Sequence, residues 1–205
     1  MKKYKVKLLN KNFEKLPSDL KNTLNQPVII LSGKMASGKN YVCSLLEKFG
    51  YSSVDADILV HQAIDKAKNK ILETFSESAG KENILILDQN GNINRRSLGK
   101  LLFTHPELLA KQEAIVYPII TQMIDDFIQE HKKTIINATV AYKSPQIMEK
   151  SNLIIFVQSN CIKRFLRARK RDKLPPSQII KRFKSQKKLI KNFTKADKEI
   201  IIIKN

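Results

Sequence analysis

Val28-Ile29-Ile30-Leu31-Ser32-Gly33-Lys34-Met35-Ala36-Ser37-Gly38-Lys39-Asn40 is the stretch from which the rest of the chain can be read. Its first four residues are aliphatic with no polar alternation, the pattern of a strand buried on both faces in a parallel sheet covered by helices. Residues 33–39 then read GxxxxGK. Val42, Leu45, Leu46 and Phe49 follow at helical spacing, with Gly50 as a stop. A glycine-bearing loop between a strand and a helix can wrap its N–H groups around a phosphate chain, and the helix adds its positive N-terminus. The candidate nucleotide-binding residues are therefore Gly33, Lys34, Met35, Ala36, Ser37, Gly38, Lys39 and Asn40. Lys39 is expected to bridge the terminal phosphates and stabilise charge as the transferred group moves. Asn40 stands where the motif has Ser or Thr, so its amide carbonyl is the oxygen available to Mg²⁺.

Working outward, four more apolar runs stand at residues 51–54, 134–140, 152–157 and 199–203, most of them rich in β-branched residues. Helical patterns lie between them, which predicts an α/β fold with a doubly wound, five-stranded parallel sheet. The interval between the second and third strands is too long for one crossover. Its helical patterns cover residues 58–67, 69–75, 96–103, 106–117 and 119–131, so residues 58–132 are expected to form a helical insert beside a core of residues 27–57 and 133–205. A basic stretch broken by Pro175 and Pro176 reads as amphipathic helices over about 160–192, solvated or acting as a lid over phosphates. Residues 1–26 precede the first strand as an extension, with a possible helix start at Leu16-Pro17-Ser18-Asp19, and carry no assigned chemistry.

The chain has 205 residues, 42% of them hydrophobic, and 38 Lys plus Arg against 19 Asp plus Glu give a net charge of +19. Such a length can bury a sizeable core, and such a charge predicts anionic partners. Aromatic residues make up only 7% and Trp is absent, so the stacking platforms of nucleic-acid binders are missing and nucleic acid is not the expected partner. Cys43 and Cys161 form no CxxC pair, which argues for a reducing, cytoplasmic setting. No apolar run suits a membrane span or a signal sequence. Asp88-Gln89-Asn90-Gly91-Asn92 looks like a calcium loop, but Ile93 and Gly99 occupy the positions that would need Gly and Glu, so it reads as a turn.

The second strand runs into Val54-Asp55-Ala56-Asp57. In open α/β sheets ligands gather at the carboxyl ends of strands, so these carboxylates are candidates for proton acceptance and metal holding; the alternative is a helix cap. Here the chain resembles dephospho-coenzyme A kinases. The match is carried by the loop at 33–40 and by Phe49-Gly50-Tyr51 leading to Asp55-Ala56-Asp57 and His61. It continues through Gly91-Asn92-Ile93-Asn94-Arg95 with Leu98 and Phe103, and ends with Arg182, Gln186, Ala196-Asp197 and Asn205.

The resemblance implies a P-loop kinase over residues 27–205, with the insert as substrate-binding region and the basic helices as lid. It implies ATP-dependent phosphorylation of the ribose 3′-hydroxyl of dephospho-CoA, with ATP and Mg²⁺ as cofactors. Asp57 is then the first choice for the catalytic carboxylate, Asp55 the second, with Lys39 beside them. Arg167 and Arg171 join the ATP-binding residues, and Arg164 could take either one's role. Asp57, His61, Arg95 and Tyr117 would bind substrate, and Asn40 with Asp55 would hold the metal. The chain departs from the family where a "D-x-P-L-L-x-E" run is usual: it has Asn137-Ala138-Thr139-Val140-Ala141-Tyr142-Lys143. It also has Tyr117-Pro118 where "H-P" is usual. The competing readings are another small-molecule kinase and a catalytically degenerate P-loop protein that binds nucleic acid or another anion. A monomer is expected.

Overall fold

A computed structural model describes residues 22–196 and 198–205 together with a strand at Lys3–Lys7; the helix start expected near Leu16 and the Asp197 of the family pattern lie outside the described residues. Two compact units emerge, residues 56–125 and the remainder.

The larger unit is built on parallel strands β1 (Lys3–Lys7), β2 (Val28–Gly33), β3 (Ser52–Asp55), β4 (Thr134–Asn137), β5 (Leu153–Gln158) and β6 (Glu199–Lys204). They lie in the order β1-β6-β5-β2-β4-β3, every neighbouring pair parallel. The five strands expected from residues 27–205 all form. The extension adds a sixth by pairing Lys3–Lys7 with β6, where an edge strand would otherwise leave its backbone groups unpaired.

β2 is fully buried because β4 and β5 flank it and helices cover it, which is why its sequence shows no alternation. One face of the sheet packs Ile29, Leu31, Leu153, Ile155, Ile201 and Ile203 with Val42, Leu45 and Leu46 of helix α1 (Lys39–Glu47). β3 and β4 lie on one side of β2 and β5 and β6 on the other, so the loop after β2 sits where the strand order reverses, the place at which such folds bind ligands.

Two boundaries differ from the sequence reading. β4 ends at Asn137 and not at residue 140, because Ala138–Val140 turn into a short 3₁₀ segment at Ala141–Lys143. α1 ends at Glu47, leaving Phe49 42% exposed, and Gly50 (φ +83°) makes the turn into β3.

The smaller unit carries α2 (Ala56–Lys66), α3 (Lys68–Lys81), α4 (Arg95–Thr104) and most of α5 (Pro106–Glu130). Phe75, Ile71, Leu98, Leu101 and Ile120 are among its fully buried side chains. The two helices expected on either side of Pro118 are a single helix of 25 residues. Proline removes one N–H from the ladder, and flanking turns with Val116, Ile120 and Ile124 buried keep the helix running through it. The Asp88 segment is the expected turn: Asp88 Oδ1 accepts the N–H groups of Asn90 (2.9 Å) and Asn92 (2.8 Å), with Gly91 at φ +74°.

The rest of the larger unit comprises α6 (Pro145–Lys150), α7 (Cys161–Asp172), α8 (Pro176–Ser185) and α9 (Leu189–Phe193). Phe193 of α9 meets Phe156 edge-on, with ring centroids 6.1 Å apart. Tyr51, at the start of β3, ties down the approach to β2: its hydroxyl donates to Leu24 O at 2.5 Å and accepts the Gln26 N–H at 3.2 Å. Tyr51→Phe leaves that backbone without its partner at a cost of about 1–2 kcal/mol, and thermal melts should show a midpoint lowered by roughly 2–8 °C. An unchanged melting curve would mean that water replaces the hydroxyl.

Candidate active site

The loop between β2 and α1 is shaped by its glycines and held from a distance. Gly33 is at closest approach to β5: a Cβ there would lie 2.5 Å from Val157 O and 2.7 Å from Ser37 Oγ. Ala36 (φ +57°) and Gly38 (φ +95°) turn the chain into α1, and the Ser37 N–H closes a turn on Lys34 O at 3.0 Å. Gly38 has no side chain to cap the helix, so the first-turn N–H groups of α1 are left without a capping side chain.

Side chains from distant parts of the chain grip this loop. Gln186 Oε1 accepts the Met35 N–H at 2.7 Å, and Arg164 Nε donates to Met35 O at 2.8 Å. Asn205 Nδ2 donates to Ser37 O at 3.0 Å, while its own N–H reaches Gln158 O at 2.8 Å. The Met35 and Ser37 amides are thus bonded within the protein, and the amides at the head of α1 are the ones placed to meet an anion.

A cavity of about 800 Å³ opens at this point. Ala36, Ser37, Gly38, Lys39 and Asn40 line one side, and Arg167, Lys170, Arg171 and Asn205 line another. The two expected lid arginines therefore do face the loop. Arg171 is also bound in a fork by Asp172, with Nε–Oδ1 2.6 Å and Nη2–Oδ2 3.1 Å. That pairing holds the Asp172 carboxyl below its usual range and raises the Arg171 guanidinium. Arg164 takes neither lid role; it is 5% exposed, beneath the loop, with its guanidinium 4.0 Å from the Phe183 ring centroid.

Beside the loop three oxygen-bearing side chains meet. Asn137, at the end of β4, donates its amide to Asn40 Oδ1 and to Asp55 Oδ2, both at 3.3 Å. Asn137 is 7% exposed, and its own Oδ1 has no partner among the described residues.

The chain's residues 27–205 match the family model described as dephospho-CoA kinase. The chain belongs to the dephospho-CoA kinase family. A curated relative from Treponema denticola, named dephospho-CoA kinase, is 31% identical over 88% of this chain and 83% of its own length. One from Staphylococcus aureus is 42% identical over 52% of this chain and 49% of its own. A crystal structure from Thermus thermophilus superposes with TM-score 0.72 at 22% identity over 87% of both chains, which supports the fold. A dephospho-CoA kinase from Campylobacter jejuni gives TM-score 0.55 at 23% identity over 87% of this chain and 88% of its own. The chain is accordingly a P-loop kinase, a transferase of the family that uses ATP to phosphorylate dephospho-CoA to coenzyme A.

The remaining kinase candidates lie in the smaller unit. Asp57 is exposed in the first turn of α2, where a carboxylate suits the helix dipole, and His61 is exposed four residues on. Arg95, at the start of α4, pairs with Asp65 at 3.5 Å, both half exposed. The Tyr117 hydroxyl donates to Glu113 Oε1 at 3.4 Å within α5.

Several residues around the loop carry no role in the sequence reading: Gln186, Asn205, Asn137 and Lys170. Gln186 and Asn205 appear there only as pieces of a family pattern, because they act on a loop about 150 residues earlier in the chain. Gly38→Ala should lower ATP affinity at least about tenfold by isothermal titration, since an L residue at that φ costs about 1–3 kcal/mol and its Cβ would meet the Asn205 amide. Gly50→Ala carries the same backbone strain with open space around it. It should lower stability and leave ATP affinity intact; equal losses in both would remove the loop's special status.

Proposed function

We propose that this chain transfers the γ-phosphoryl group of ATP to the ribose 3′-hydroxyl of dephospho-CoA, with the nucleotide phosphates seated at the head of α1. The observation that carries the assignment is the cavity lined jointly by the loop, Lys39, Arg167 and Arg171. Lys39 and the first-turn amides bind the β- and γ-phosphates and oppose charge that builds on the transferred group. Arg167 and Arg171 neutralise the phosphate chain from the helix α7 side, where residues 160–192 act as a lid that excludes water. Arg171 reaches the nucleotide by exchanging its fork on Asp172 for one on phosphate, a substitution of one anion by a stronger one.

The acceptor belongs to residues 58–132. Asp57 accepts the proton of the attacking hydroxyl, and Arg95 binds an anionic group of the substrate, as His61 and Tyr117 contribute polar contacts around it. Asp55 lies two residues before Asp57, so the second carboxylate serves the metal.

Asn40, Asp55 and Asn137 offer the hard oxygen donors that Mg²⁺ takes, including the buried Asn137 Oδ1, which has no partner among the described residues. No group of three or more His, Cys, Asp or Glu that could hold a metal occurs among the described residues, which fits an ion that keeps its waters and arrives with the nucleotide. Asn40 and Asp55 would hold it, and when bound it would neutralise charge on the β- and γ-phosphates. The free cysteines Cys43 and Cys161 support a cytoplasmic setting, and no helix among the described residues is long and apolar enough to cross a membrane. A monomer is the working unit of this proposal.

Assaying purified protein with ATP, Mg²⁺ and dephospho-CoA tests the assignment directly. Turnover should exceed that with adenosine, and Lys39→Ala should lower kcat by about 10²–10³-fold. Equal turnover in parent and variant removes Lys39 from the reaction. Asp57→Asn should lower kcat by about 10²–10⁴-fold with ATP affinity nearly intact. A collapse of ATP binding instead would make Asp57 a metal or structural residue.

A further inference from the structure

Among the described residues, Arg164 is a buried cation without a counter-ion. One of its nitrogens holds Met35 O, but Nη2 is buried with no acceptor among the described residues, and no carboxylate pairs with the group. Burial costs a guanidinium several kcal/mol unless charge or hydrogen bonds compensate it. Stacking on Phe183 recovers part of that cost and supplies no negative charge.

Arg164 also lines a second cavity, of about 660 Å³, between α7 and α8. This cavity shares no lining residue with the nucleotide cavity. Lys34 from the loop and Lys184 and Lys187 from the α8 side join Arg164 in its wall, and among the described residues no Asp or Glu lines it. Phe165, Ile180 and Phe183 make the rest largely apolar, with Ile180 left 46% exposed to solvent. Four cations around an apolar hollow leave one chemistry incomplete, a negative charge attached to something greasy.

We infer that this second cavity binds an anionic ligand with an apolar body, a carboxylate or a phosphate monoester on an acyl or aromatic frame. The anionic head meets Arg164 and the lysines, and the body lies on Phe165 and Ile180. Because Lys34 and the Arg164 bond to Met35 belong to the loop, occupancy of this cavity is coupled to the loop that faces the nucleotide, and the coupling must be reciprocal. The inference does not depend on which acceptor the kinase uses.

The test uses the full chain and 8-anilinonaphthalene-1-sulfonate, a fluorescent aromatic anion, as probe. Lys184 and Lys187 are exposed, so reversing their charge leaves the core untouched. Lys184→Glu/Lys187→Glu should raise the probe's Kd at least about tenfold, while Lys184→Arg/Lys187→Arg should keep it within about twofold. As ATP is raised, the probe's apparent Kd should reach a plateau. A rise without limit places the probe in the nucleotide cavity and overturns the inference, as does a Kd that ignores the charge reversal. At saturating ATP, displacement by phenyl phosphate in preference to hexanoate assigns the phosphate monoester, and the opposite order assigns the carboxylate. Displacement by neither overturns the inference.

Discussion

The backbone of Met35 is held on both sides, its N–H by Gln186 and its carbonyl by Arg164, and the shape of the loop after β2 depends on that grip. A loop with glycines at both ends of its motif is a poor keeper of its own shape, because glycine gives up more conformational freedom on ordering than any other residue. Bonds from α7, from the turn after α8 and from the last residue of the chain supply what the loop lacks. Gln186 and Arg164 bind Met35, which does not line the cavity, while Asn205 binds Ser37 and lines the cavity itself. The basic segment therefore supports the loop through Arg164 and also lines the cavity beside it through Arg167, Lys170 and Arg171. Helix α7 divides its cations between the two tasks: Arg164 is buried under the loop, while Arg167 and Arg171 line the cavity one and two turns further on.

How much of this was legible in the amino-acid order follows from the range of the forces involved. β2, β5 and β6 were readable because burial on both faces removes polar alternation, a signal confined to a few adjacent residues. Lys3–Lys7 was not: alternating lysines do not resemble a buried strand, and it forms because β6 offers an unpaired edge. Pro118 misled in the opposite direction, since proline is a reliable helix boundary only where packing on either side is weak, and here Val116 and Ile120 are buried on both sides of it.

Within the candidate site, the motif from Gly33 to Asn40 could be found because one strand, one loop and one helix carry it consecutively. The grip on it could not. Gln186 and Asn205 are ordinary polar residues until the sheet order places β5 next to β2 and β6 next to β5. Arg164 is indistinguishable in sequence from its basic neighbours, and only the packing of α7 on α8 separates a buried guanidinium from solvated ones. A run of positive charge thus says that anions are near, while leaving open which members of the run touch them.

Two departures from the family's pattern prove to be one. Asn40 stands in place of a hydroxyl residue and Asn137 in place of an acid, and the two amides are hydrogen-bonded to each other with Asp55 as third partner. An aspartate at 137 would set its carboxylate against both Asn40 Oδ1 and the Asp55 carboxylate, two oxygens that cannot donate to it. With an amide there, Asn137 donates to both. Side chains that share a hydrogen-bond network do not contribute independently, so a residue that looks unsuited to the motif when considered alone is matched by its partner across the sheet. The exchange also lowers the negative charge beside the phosphate site by one and leaves Asp55 as the carboxylate of the trio. In a low-dielectric pocket that reduces repulsion toward an incoming phosphate chain and weakens the pull on a bare cation. On the proposed reading, the nucleotide's own oxygens would then bear more of the task of holding a metal, which the loop's lysines cannot share.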